Sequence, residues 1–270
     1  MQTLPDDPGF ARHIAACNNA RLPGGRQRLW LGAHPVGWVT PQTAQVLARV
    51  LPRHTPLARE DGHLGLPADT DLDALGRALA EAGLCPFRNE PFDIWPDDAP
   101  AGTPALGRID RGTTPVLGLL AVGAHLNGLV RQADDLHLWV ARRARTKPLD
   151  PGKLDHLVAG GVPAGLTPAQ TLVKEAGEEA AIPPELAARA QQAGEISYAM
   201  ERPEGLRRDR LVIFDLELPA SFQPRPADGE VESFELWPLA RAVERVRTTD
   251  DFKFNVNLVL IDLFVRLGLA

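Results

Sequence analysis

DHLVAGGVPAGLTPAQTLVKEAGEEAAIPP, residues 155–184, is the stretch on which the rest of the chain turns. Its pattern predicts a short apolar strand over 156–159, a glycine-rich loop carrying Gly160, Gly161 and Gly165, and then one helix. Thr167 is placed to cap the helix, Pro168 suits the first helical position, where a missing N–H costs nothing, and Gln170 follows three residues after the cap, as a reciprocal capping box requires. Pro183 and Pro184 supply the stop, since neither can donate to a continuing helical ladder.

Within this helix Glu175, Glu178 and Glu179 stand at i, i+3 and i+4, so at about 100° per residue their carboxylates converge on one face. Ala169, Leu172, Val173, Ala176 and Ala180 form an apolar stripe centred roughly 120° away on the same wheel, available for burial. Three neighbouring carboxylates repel one another unless cations or solvent compensate. An all-oxygen set suits a hard divalent ion, Mg²⁺ or Mn²⁺, and Mg²⁺ commonly sits between carboxylates and substrate phosphates. The competing explanation is a solvated Glu-rich face. The loop weighs against it, because the backbone N–H groups of a glycine-rich turn entering a helix make a phosphate cradle.

These residues carry a family resemblance. The segment resembles a Nudix box, Gly-x5-Glu-x7-Arg-Glu-U-x-Glu-Glu-x-Gly-U with U a bulky apolar residue. Gly160 matches the first glycine, Glu175 the Glu after the Arg, Glu178 and Glu179 the Glu-Glu pair, and Ile182 the last apolar position. Leu166 stands where the first Glu is expected, Lys174 where the Arg is, Ala176 at the first U and Ala181 where the second Gly is. In the family the later three Glu bind metal, whereas the first Glu and the Arg pin the loop. The resemblance therefore implies an intact metal-binding part and a different loop anchor.

The chain of 270 residues is long enough for one large or two ordinary domains. A net charge of −6 argues against binding nucleic acid through a general positive field. Cys17 and Cys85 match no metal spacing, so a reduced, cytoplasmic setting is expected. Residues 1–9 lack the apolar core of a signal peptide, and no apolar run reaches about 18 residues, so no membrane span is expected.

Residues 10–20 predict a helix, 28–32 and 36–40 two strands, 41–51 a helix capped by Thr40, 63–66 a strand, 71–82 a helix stopped by Gly83, and 87–95 an extended segment. Trp30, Trp38, Leu47, Leu75 and Leu79 are its core candidates. This gives a small α/β accessory domain over 1–95, followed by the linker 96–105 around PDDAPAGTP and a second domain over 106–270. In the latter, strands are expected at 116–122, 125–130 (interrupted by Asn127 and Gly128), 137–142, 195–200, 211–218 and 232–236, with ERPEGLRRDR as a polar turn carrying Arg207, Arg208 and Arg210 at the surface. Helices are expected over 238–246 and 255–267. Strands, box helix, strands, then helices predict a mixed sheet packed between helices.

Beyond the box, GAHLNGLV (123–130), LWVARRARTKPLDPGKLDHLVAGG (138–161) and FKFNVNLVLIDLFVRLG (252–268) are similar to one Nudix subfamily with an extra N-terminal domain, found fused to or alongside thiamine pyrophosphokinase. That resemblance covers nearly the whole chain. It implies an α/β (α+β) fold, a Nudix α-β-α sandwich preceded by a small α/β domain, and Mg²⁺-dependent (or Mn²⁺-dependent) cleavage of thiamine diphosphate or its damaged oxo and oxy derivatives to the monophosphate. The other readings are a Nudix pyrophosphohydrolase of ADP-ribose, dinucleotides or a coenzyme diphosphate, and a ligand-binding module without turnover.

The expected metal ligands are Glu175, Glu178, Glu179 and Glu230, the last with Glu232 as its competitor, and the general base is sought among Glu175, Glu178 and Glu230. Gly160, Gly161, Arg142, Arg143, Lys147 and Lys174 are expected to hold the substrate, since guanidinium and ammonium groups bind phosphate oxygens; simple exposure is the plainer account of any one of these cations. Tyr198, Trp139 and Trp237 suit a core role as well as stacking on a heterocycle. His125, His137 and His156 lack zinc spacing and are expected to be structural. A small-molecule diphosphate is the expected partner, with no nucleic acid and no membrane; a homodimer is compatible. Trp30 and Trp38 are expected to contribute one wall of the substrate pocket.

Overall fold

The computed structural model describes residues 7–51, 58–59, 61–97, 99–100, 102–133 and 135–270. Residues 1–6, and Asp98 and Ala101 of the expected linker, lie outside them.

In chain order come α1 (Pro8–Cys17), β1 (Gln27–Leu31), β2 (His34–Val39), α2 (Pro41–Val50), β3 (Leu64–Leu66), α3 (Leu72–Glu81), β4 (Pro91–Ile94), β5 (Gly107–Asp110) and the short α4 (Thr114–Leu117). There follow β6 (Leu120–Gln132), β7 (Asp135–Arg143), β8 (Leu154–Asp155), β9 (Val158–Gly161), α5 (Pro168–Ala180), α6 (Pro184–Ala187), β10 (Gln191–Arg202), β11 (Gly205–Glu217), β12 (Val231–Pro238), α7 (Leu239–Thr248) and α8 (Phe254–Arg266).

β10, β11, β6, β7 and β12 are neighbours in that order, with β11 parallel to β6 and the other pairs antiparallel. β6 and β7 pair only near their shared turn. Where they part, β9 pairs with β6 and β8 with β7, so the segment bearing the box enters the gap between the two strands. Strand side chains alternate between faces, and β11 shows the consequence. Val212, Phe214 and Leu216 join Leu172, Ala176 and Ala180 of α5 in one core, whereas Leu211 and Ile213 join Leu258 and Val259 of α8 in another. The sheet is thus filled on both faces, helix–sheet–helix, as expected.

The strand expected at 125–130 is not interrupted. Asn127 donates to Asp215 on β11 at 2.9 Å, and Gly128 leaves room for Leu157, whose Cδ2 would lie 2.2 Å from a Cβ there. β6 therefore runs through both residues, while 114–117 is helical where a strand was expected to begin. ERPEGLRRDR is mostly strand: β10 and β11 pair as far as Arg202↔Gly205, and Arg207, Arg208 and Arg210 are tied to Asp209, Asp97 and Glu195 rather than free at the surface.

In the N-terminal part, β2, β1 and β3 form a three-stranded sheet backed by α2 and α3, with Leu47, Leu75 and Leu79 buried as expected. Trp30 and Trp38 are only half-buried, each under a guanidinium, from Arg59 and Arg28. Two connections tie the N-terminal part to the rest of the chain. Phe10 of α1 packs in the core built by α7 and α8, far along the chain. PDDAPAGTP joins β4 to β5, which pair with each other, and the N-terminal core continues through Ile109 to Leu117 and Leu119.

Candidate functional site

α5 begins as its local sequence dictates. Thr167 accepts from the Gln170 N–H, and the Gln170 side chain accepts in return from the Thr167 N–H. The helix ends at Ala181, in the left-handed region at φ 53°, three residues before the second proline. Alanine there costs about 1 kcal/mol relative to glycine.

The three box carboxylates do not share one exposed face. The buried residues of α5 are Thr171, Leu172, Ala176, Glu179 and Ala180, while Ala169 is exposed and Val173 half-buried. The side chain of Glu178 is 51% exposed and that of Glu175 18%, while Glu179 as a residue is 8% exposed. Glu179 accepts from the Ala159 N–H of β9 at 3.0 Å. Burial drives its proton affinity well above the carboxylate norm; that hydrogen bond opposes the shift, and Asp155, Glu175 and Glu230 add to it as like charges. Glu175 is raised too, first by burial, with Lys174 acting against and Glu178 and Glu230 acting with it.

Gly160 and Gly161 lie in β9, opposite Ala124 and Gly123 of β6, not in the loop where a phosphate cradle was expected. Their missing side chains serve packing. A Cβ on Gly160 would lie 2.5 Å from Glu175 Cγ, and one on Gly161 2.5 Å from the Phe92 ring. Gly160 is thus the seat of Glu175.

Glu230 lines a narrow cleft with Glu179, Asp155, His156 and Arg143, and its carboxylate pairs with Lys147. Glu232 turns away and accepts from the Arg145 N–H. Lys174, in the Arg position of the box, pairs with Glu178 and stands 3.4 Å from Glu175. Arg143 is committed to Asp155 at 2.8 Å and to the carbonyls of Leu149 and Asp150, and Arg142 donates to the Gly152 carbonyl at 3.0 Å. Lys147 and Lys174 are the cations that border the acids.

Asp155 and Lys253 carried no recognisable pattern in the sequence, yet both are buried beside the site. Burial opposes ionisation of Asp155, but Lys253, His156 and Arg143 outweigh it and hold its carboxyl below the usual range. Burial likewise lowers Lys253, with Asp155, 4.0 Å away, partly restoring it. His125 and His156 stack at 4.8 Å and share a 2.9 Å hydrogen bond, and burial pushes His125 well below its ordinary value. Trp139, Trp237 and Tyr198 are core residues, with the Tyr198 hydroxyl donating to Asp209.

Among the described residues no three carboxylate, imidazole or thiolate side chains converge closely enough to hold a metal ion. The donor chemistry nevertheless fits a hard cation. Glu179 is a buried carboxylate beside Asp155, Glu175 and Glu230 with one backbone N–H donor, an oxygen set that suits a divalent ion.

Residues 125–256 match the family model described as NUDIX domain. The chain carries a Nudix domain. Its relatives include two proteins of Arabidopsis thaliana. "Nudix hydrolase 24, chloroplastic" is 42% identical over 194 residues, 72% of this chain and 52% of the relative. "Nudix hydrolase 20, chloroplastic" is 39% identical over 193 residues, 71% of this chain and 51% of the relative. The chain thus spans about half the length of these curated relatives. Among solved structures, the NUDIX domain of Shewanella oneidensis NrtR complexed with ADP ribose is similar with a TM-score of 0.42 and 15% identity, over 54% of this chain and 87% of that one. The residues that resemble the Nudix box fall on β9, the following loop and α5. No helix among the described residues is long and apolar enough to cross a membrane.

Proposed function

We propose that this chain is a divalent-cation-dependent hydrolase of a small diphosphate, with thiamine diphosphate or its damaged oxo and oxy derivatives as substrate and the monophosphate as product. The observation that carries the reading is Glu179, buried among Asp155, Glu175 and Glu230 and oriented by the Ala159 N–H. A module that only bound a ligand would have no need to hold so much like charge in so dry a place. The thiamine assignment rests on the likeness of 123–130, 138–161 and 252–268 to the thiamine-associated subfamily. The two free thiols, Cys17 and Cys85, suit a reducing compartment such as the cytoplasm.

In this reading Glu175, Glu178, Glu179 and Glu230 would hold Mg²⁺ or Mn²⁺, which would supply charge neutralisation for the diphosphate and a lower pKa for water. The chain supplies the rest. Ala159 fixes the direction of the Glu179 carboxylate, Gly160 lets Glu175 lie across β9, and Lys147 orients Glu230. Lys147 and Lys174 are positioned to meet phosphate oxygens. Water oxygen bonds to phosphorus, the bridging P–O bond breaks, and a carboxylate takes the proton.

The test is product identification by mass spectrometry with Mg²⁺ or Mn²⁺ present, comparing thiamine diphosphate, its oxo and oxy analogues, ADP-ribose and NADH. The proposal expects monophosphate from the thiamine compounds, fastest from the damaged forms, and loss of turnover in Glu179→Gln. Cleavage of the nucleotides alone would remove the thiamine assignment. Hydrolysis by Glu179→Gln at the wild-type rate would remove the metal site.

A further inference from the structure

We propose that Asp93, carried by the β4–β5 ribbon of the N-terminal part, is a positioning residue that anchors the loop between β9 and α5, in place of the Glu and Arg that the resembled box uses there. Two loop N–H groups are met from this ribbon. Gly165 donates to Asp93 Oδ2 at 2.9 Å and Ala164 to the Pro91 carbonyl at 2.8 Å. The Asp93 side chain is only 10% exposed, and Arg108 Nε stands 3.4 Å from its other oxygen, an ion pair without a hydrogen bond. Gly165 adopts φ +82°, and a Cβ there would meet the Arg108 guanidinium at 3.2 Å. Glycine adopts that backbone conformation freely, and it turns the Gly165 N–H toward Asp93. At the other end of the loop, the Phe92 ring fills the space that a side chain on Gly161 would need.

The residues at the box positions do other things. Leu166 is an exposed apolar side chain, and Lys174 is spent on Glu178 and Glu175. The loop nonetheless has to be fixed, because it joins the seat of Glu175, Gly160, to the cap of the helix that carries Glu175, Glu178 and Glu179. The ribbon fixes it from a part of the chain 72 residues away. The N-terminal part is on this account a brace for the catalytic loop, and its removal would release the loop as well as uncover the sheet.

For its kinetic arm the inference rests on the proposed hydrolysis; its exchange arm does not. In the full chain, Asp93→Leu removes the acceptor at similar volume, and Asp93→Asn keeps one oxygen. Amide exchange over residues 162–167 and steady-state kinetics are read on both. Because a hydrogen bond to a charged acceptor is lost, Asp93→Leu is expected to exchange about 10-fold faster in this loop. Its kcat should fall about 10-fold with KM within about 3-fold, as expected for misplaced groups rather than lost binding. Asp93→Asn should stay within about 3-fold of wild type on both readouts. A folded Asp93→Leu protein with wild-type loop exchange overturns the anchor whatever its kinetics. If that variant fails to fold, Asp93→Ala removes the same acceptor with a smaller side chain, and unchanged exchange there is equally fatal. Should the wild type hydrolyse no diphosphate, faster loop exchange in Asp93→Leu would uphold the anchor while the activity reading fell.

Discussion

Replacing Gly160 with alanine would place a methyl carbon 2.5 Å from Glu175 Cγ and 2.6 Å from its Cδ. Carbon atoms rest comfortably about 3.5–4.0 Å apart, so a displacement of about 1 Å is forced. β9 is held to β6 by the pairing Gly160↔Ala124 and its neighbours, whereas the Glu175 side chain turns about free single bonds. The side chain therefore yields, and stability changes little: overpacking costs about 1–3 kcal/mol, less where a flexible group moves aside, and alanine in a strand returns about 0.5–1 kcal/mol relative to glycine. Function does not escape so lightly. Moving a catalytic or ligating group by about 1 Å costs about 10²-fold in rate, or about 2.7 kcal/mol of barrier. The assay is kcat/KM with Mg²⁺, together with Mn²⁺ titration and thermal melting of Gly160→Ala. Gly177→Ala is the control: it lies on the same helix as Glu175, and a Cβ there meets nothing nearer than the Ile182 carbonyl at 3.9 Å. The expectation is a loss of about 100-fold for Gly160→Ala, weaker Mn²⁺ binding, and a Tm close to wild type. A Gly160→Ala protein with wild-type kcat/KM and Mn²⁺ affinity would refute the seating of Glu175 on this glycine.

Glu179 makes the metal-free protein pH-sensitive. Its folded pKa is raised above its ordinary value of 4.5, so its contribution to stability is fully present below that value and is lost as pH rises through the raised one. Glu179→Gln removes this loss, and metal-free melts taken upward from pH 4.5 should fall more steeply for wild type than for the variant. Parallel curves would count against the burial assigned to Glu179. Asp155 acts in the opposite sense. Its pKa is held below 3.8, so its contribution is present above that pH and lost as pH falls toward the folded value. Asp155→Asn strands Arg143 and Lys253 as buried cations and should cost about 3–5 kcal/mol, measured by urea unfolding at neutral pH. A cost below about 1 kcal/mol would show that other groups satisfy those cations.

What could be read from the chain was whatever short-range chemistry fixes. The capping box at Thr167 and Gln170, the cap at Thr40 and the stop at Gly83 are decided by residues three or four apart, and each stands as expected. Alternation and apolar spacing likewise predicted the layered α/β architecture. Asn127 and Gly128 misled because strand-breaking tendency is a local average. Here one side chain finds Asp215 across the sheet, and the other position is emptied for Leu157.

The acids show the same division. Their spacing on α5 follows from helix periodicity, and so the sequence by itself determined that Glu175, Glu178 and Glu179 lie close together. Which of them is buried depends on where β9 docks, and only the tertiary structure decided that Glu179 goes inward to the Ala159 N–H while Glu178 faces solvent. Gly160 and Gly161, read as loop residues, proved to be strand positions whose missing side chains admit Glu175 and Phe92. The sequence also showed that the usual loop-pinning pair was gone, but not what replaced it. Asp93 lies 72 residues before Gly165, and a hydrogen bond over that distance exists only once the β4–β5 ribbon has been folded against the loop.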